Sequence, residues 1–148
     1  MINVTCVTYI FGYVTRLAKS HKNHYLCENF IDMNKEELKI VFLGTPEFAV
    51  ESLKRLHEGG YNIAGVVTMP DKPAGRGHKL LQSPVKQYAV EHGMHLMQPA
   101  NLKNPEFVDE LRSLNADLFI VIAFRMLPEV VWSMPRLGTF NLHGSLLP

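Results

Sequence analysis

Cysteine is scarce in this chain, and the two present, Cys6 and Cys27, both precede residue 30. That excludes a disulfide-stapled scaffold. The pair has no metal-ligand spacing either, and a reducing cytoplasm fits such usage best. Net charge is equally scarce: 15 Lys and Arg stand against 14 Asp and Glu, leaving +1. Such a balance gives no whole-chain attraction for nucleic acid or an anionic membrane, so any contact with RNA has to be local. Long apolar runs are missing too. Ile2–Val14 comes nearest, but Asn3, Thr5, Thr8 and Gly12 break it. It falls short of the roughly 20 residues that cross a bilayer, and no positive charge precedes it as in a signal peptide. No targeting segment and no membrane partner are expected. What remains is globular: 47% apolar and 20% charged residues over 148 positions suit one domain with a real core.

Residues 1–37 show no clear hydrophobic period. They are expected to form an extension of low order, either with a native start at Met33 and 1–32 translated from upstream sequence, or as an added strand or helix. From Leu38 the pattern is regular. Lys39–Leu43, Tyr61–Thr68, Met94–Met97, Asp117–Phe124 and Thr139–His143 read as strands. Helices between them start at Thr45-Pro46, Ser83-Pro84, Asn104-Pro105 and Pro128. In three of these, a polar N-cap followed by Pro at the first helical position is the expected start. Alternating strands and helices predict an α/β fold with right-handed crossovers and a doubly wound, mostly parallel sheet. Ligands then belong at the carboxyl ends of the strands. The loops gathered there carry Gly44-Thr45-Pro46, Arg125-Met126-Leu127 and His143-Gly144-Ser145.

Three stretches bear on chemistry. In the last strand Asn141 and His143 are two apart, so they share one face. A carboxamide and an imidazole at a strand end can hold an oxyanion, polarise a carbonyl and carry a proton, which is acyl-transfer chemistry; a structural hydrogen-bonding pair is the alternative. The first strand-to-helix turn does not suit a dinucleotide, because Pro46 removes an amide donor and Glu47 places negative charge where a phosphate would lie. The stretch from Met69 to Leu80, with two prolines and two glycines, is expected to be an irregular loop. It concentrates Lys72, Arg76 and Lys79, with His78 as a possible fourth, and suits either a phosphate backbone or plain solvation.

The terminal FNLHGSLLP, residues 140–148, resembles the signature of the folate-dependent formyltransferases. FLGTPEFAV and PDKPAGRGHKL are similar to the opening and the inserted loop of the methionyl-tRNA formyltransferases among them. The resemblance covers Leu38 to Pro148 and implies a Rossmann-like fold, here the N-terminal part of a catalytic domain that is incomplete at its C-terminus. It implies transfer of a formyl group from 10-formyltetrahydrofolate to the amino group of methionyl-initiator-tRNA, without a metal, by an enzyme that is cytoplasmic and monomeric when whole. His143 would move protons, and Asn141 would donate to the oxyanion. Phe124, Arg125, Met126, Leu127, Ser145, Leu146, Leu147 and Pro148 would line the folate pocket; Arg76 would enter the tRNA acceptor stem, with Lys72 and Lys79 on phosphates. Ala123–Pro128 departs from the family's A-Y-G-x-[IL]-L-P form, with Arg125 in place of the glycine and one residue fewer. The family's third catalytic residue, an Asp, lies beyond Pro148, so 1–148 alone is expected to have little activity. An amino-sugar-nucleotide formyltransferase, a glycinamide ribonucleotide formyltransferase and a non-catalytic folate-binding fragment are the alternatives.

Overall fold

The computed structural model describes residues 36–142 apart from His78. The expected low order of the first 37 residues therefore falls almost wholly outside the described residues. In order, the elements are β1 (Lys39–Gly44), α1 (Glu47–Glu58), β2 (Asn62–Val67), β3 (Lys72–Ala74) and β4 (Lys79–Leu81). There follow α2 (Pro84–Glu91), β5 (Leu96–Met97), α3 (Pro105–Ser113), β6 (Leu118–Ile122), α4 (Glu129–Trp132) and β7 (Thr139–Leu142). Five strands form one parallel sheet in the order β5-β2-β1-β6-β7. The doubly wound, parallel arrangement predicted by the alternation, Rossmann-like as the resemblance implied, is the one observed.

Period-two alternation in β1 divides the core in two. Ile40 and Phe42 pack with Ala49, Leu53 and Leu56 of α1 and with Val85 and Ala89 of α2. Val41 and Leu43 face the opposite way, toward Phe107, Val108 and Leu111 of α3 and Val131 of α4. All four β1 side chains are fully buried, which stabilises the fold by about 1.5–3 kcal/mol for each of them. Because β1 has helices on both faces, its sequence reads as a continuous apolar run rather than an alternating one. At the amino edge of the sheet, Asp117 accepts from the Lys39 backbone N–H at 2.9 Å and from Arg136 Nε at 2.6 Å, tying β1 and β6 to the turn before β7.

The order in which strands are laid down reverses between β1 and β6, though the two run parallel. The chain steps outward from β1 through β2 to β5, then returns over the other face through α3 to β6 beside β1. This is the switch point at whose carboxyl edge open α/β sheets hold ligands.

Three local expectations need correction. Pro46 is the N-cap of α1 rather than its first helical residue, and no side chain caps that helix; the Thr45 hydroxyl is buried without a partner among the described residues. The stretch after β2 is not irregular: β3 and β4 pair as an antiparallel hairpin around a 3-10 turn at Gly75–Gly77. Pro73 is tolerated because a two-stranded ribbon leaves an outer edge whose N–H groups need no strand partner. Finally, β6 stops at Ile122, since Ala123 turns into the left-handed region at φ 46°.

Candidate functional site

The carboxyl edge is built by neighbouring strands. β6 and β7 pair in register with Val121 opposite Asn141. Phe140 and Leu142 turn toward the α1 and α2 side of the core, which leaves Thr139 and Asn141 on the opposite face. Thr139 donates its hydroxyl to the Trp132 carbonyl at 2.7 Å and so fixes the end of α4 against β7. Beyond Ile122 the chain crosses this face as Phe124–Leu127. The result is a cavity of about 510 Å³ lined by Val121, Phe124, Arg125, Met126, Leu127, Trp132, Thr139 and Asn141. Its volume lies within the range of small-molecule sites, and its walls are mainly apolar with a few polar groups.

Five of the residues expected to act on a folate or on its formyl group therefore meet: Asn141 with the whole Phe124–Leu127 segment. His143 and Ser145, Leu146, Leu147 and Pro148 lie outside the described residues. Met126 is 93% exposed, an apolar side chain presented to whatever fills the space beside it.

Arg125 has a specific seat. Its guanidinium donates to the backbone carbonyls of Pro99, at 2.5 Å, and Ala100, at 2.8 Å, in the loop after β5. Its carbon lies 5.7 Å from the Phe124 ring centroid, within cation–π range. Its Nε is buried without a partner among the described residues. The side chain thus ties the β6 loop to the β5 loop across the switch point. A smaller cavity of about 400 Å³ lies on the other side of this tie, against Ala100–Lys103.

The three basic residues are also brought together. Lys72 lies opposite Leu81 and Ala74 opposite Lys79 in the hairpin; partners across an antiparallel pair share a face, as do residues two apart, so both lysines project from one side. Arg76 occupies the tip, where Gly75 supplies φ +65°, a backbone shape that glycine adopts at little cost. All three are exposed. In a parallel sheet every carboxyl end falls on one edge, and β2, which leads into the hairpin, is three strands from β7, about 14 Å away.

Another cavity among the described residues does not suit these chemistries. At about 870 Å³ it runs between α1 and α2 and is lined by Glu47, Glu51, Glu58 and Glu91 against Lys54 and His92, which repels an anionic folate or nucleic acid.

Sequence reasoning missed the polar group at the foot of the hairpin. Asp71 accepts from Lys86 Nζ at 2.6 Å and from Gln98 Nε2 at 2.9 Å. The hydrogen bond from Lys86, seconded by that from Gln98, holds the Asp71 carboxyl below the usual carboxylate range despite partial burial. No local pattern announced it, because the three residues lie on a loop, a helix and a strand end.

A parallel, doubly wound domain with a ligand-sized cavity against β6 and β7 is the class that the fold and site define. The chain belongs to the formyl transferase family, whose model matches residues 38–148. A methionyl-tRNA formyltransferase of Bacteroides fragilis is 69% identical to it over 116 residues. One from Bacteroides thetaiotaomicron shares 69% over 116 residues, and one from Flavobacterium johnsoniae 58% over 113. These matches take in 76–78% of the chain but only 36% of each relative, so the chain spans about a third of the length of those proteins.

Proposed function

We propose that the chain, with 38–148 as its catalytic part, supplies the N-terminal portion of a cytoplasmic, monomeric enzyme that moves a formyl group from 10-formyltetrahydrofolate to the amino group of methionyl-initiator-tRNA. The observation that carries this reading is the cavity in which Asn141 stands beside Phe124–Leu127 at the carboxyl edge. A flat, partly apolar pterin fits the Phe124–Leu127 wall, with Met126 and Trp132 as packing surfaces, and Arg125 acts by holding that wall in place. Ser145–Pro148 would close the pocket.

The chemistry follows from the side chains. The free amine attacks the formyl carbon, forming a C–N bond and a tetrahedral centre. Asn141 donates from its carboxamide to the oxygen that gains negative charge, a neutral donor that needs no proton transfer of its own. His143 takes the proton released by the attacking nitrogen and returns it to the departing folate nitrogen as that C–N bond breaks. Neither role calls for a metal. The acceptor end of the tRNA would lie against Lys72, Arg76 and Lys79. Its phosphates supply the charge that these exposed cations complement.

The test uses the full 148-residue chain joined to the part of the Bacteroides fragilis relative that follows the matched stretch. Formylation of initiator methionyl-tRNA is expected, and Asn141→Ala is expected to lower kcat by roughly 10²–10³-fold, the usual loss of one oxyanion donor. A fusion that formylates an amino-sugar nucleotide but not the tRNA, with Arg76→Ala silent, would overturn the assignment.

A further inference from the structure

The hairpin of β3 and β4 has no core of its own. Lys72, Pro73, Lys79, Leu80 and Leu81 are all exposed, and a two-stranded ribbon alone is marginal in water. Its direction must come from its root, where three parts of the fold meet. The Asp71–Lys86 ion pair is only 16% and 15% exposed. Gln98, just past β5, donates both to Asp71 Oδ1 and to the Met69 carbonyl at 3.1 Å, gripping the strand that leads into the hairpin at two points. On the return side, Ser83 accepts from the Lys86 backbone N–H at 3.0 Å and shares a 2.7 Å hydrogen bond with the fully buried Thr68. Both feet of the excursion are thus fixed to β2, α2 and the β5 end. Lys86, cationic and close to the basic hairpin, is engaged by Asp71 rather than offered outward.

We propose that Asp71, Lys86 and Gln98 are positioning residues for the tRNA substrate: they aim the hairpin so that Arg76 and the paired lysines meet the acceptor end together. This deepens the functional reading above and rests on it. A hairpin released from its root samples many directions. If it were competent about a tenth of the time, apparent affinity for the tRNA would fall about tenfold, with the chemistry after binding unchanged.

Steady-state formylation by the full-chain fusion provides the test. Lys86→Met is expected to raise KM for methionyl-tRNA about tenfold, while kcat and KM for the formyl donor stay within about twofold. Lys86→Arg, which keeps the charge and donors, is expected to restore most of the loss. Gln98→Leu, which leaves the ion pair intact, takes the place of Lys86→Met if that variant does not fold, and should raise the same KM. A folded variant with unchanged KM for tRNA, in a fusion where Arg76→Ala raises it, overturns this inference alone. So does a comparable fall in kcat with a rise in donor KM, which marks general damage. An intact fusion that formylates no methionyl-tRNA overturns the functional reading and the inference with it.

Discussion

Gly44 shows how much a single residue decides at this edge. A Cβ placed there would lie 3.0 Å from the Ala49 Cβ and 3.1 Å from the Ile122 carbonyl oxygen, and neither atom belongs to a flexible side chain that can swing away. Gly44→Ala is therefore expected to destabilise the chain by about 1–3 kcal/mol, the usual cost of overpacking, as read from urea melts. In the sequence, Gly44 is legible as a strand stop but not as the contact that lets α1 close on β1. Ala123 is the opposite case. Its left-handed backbone, φ 46°, has no sequence signal, because Leu118–Ala123 reads as one apolar run. Asn141 was legible because alternation along a strand is local; the wall it faces comes from a different loop, and only the pairing of β6 with β7 unites them.

Among the elements, helix starts separate what is local from what is not. Ser83 and Asn104 were readable as caps, and each accepts from a backbone N–H of its own first turn, at 3.0 and 3.1 Å. Asn104→Ala is expected to cost about 1 kcal/mol and Ser83→Ala more, up to about 2, because it also strands the buried Thr68 hydroxyl. Thr45→Val should be neutral to stabilising in the same melts, since that buried hydroxyl has no partner among the described residues to lose. The hairpin escaped prediction because prolines and glycines mark turns but do not reveal a pairing partner. Its root makes a pH prediction. The Asp71 carboxyl is held below its usual value, chiefly by the Lys86 hydrogen bond, so its contribution is fully present above the unfolded Asp value of about 3.9 and is lost as pH falls through the lower folded value. The melting difference between the wild-type chain and Asp71→Asn should be present at neutral pH and shrink in acid below that value.

At the scale of the whole molecule, the layout was legible because strand and helix periods alternate without ambiguity, while strand order and the closure of β1 against β6 depend on the path of α3 over the sheet. The two edges of β1 differ in reach: β2 lies nearby in sequence, whereas the Lys39 and Asp117 that join β1 to β6 are 78 residues apart. Short-range pairing forms at smaller entropic cost. Weakening the near edge by Val66→Ala should therefore slow folding, and weakening the far edge by Ile120→Val should mainly speed unfolding, in stopped-flow measurements. No described helix is long and apolar enough to cross a membrane.

The distance between those two partners also sets a clock during synthesis. A ribosome adding about 5–20 residues per second takes roughly 4 to 16 s to pass from Lys39 to Asp117. Until β6 is made, β1 has at most β2 beside it, and another unfinished chain can occupy its bare flank before β6 arrives.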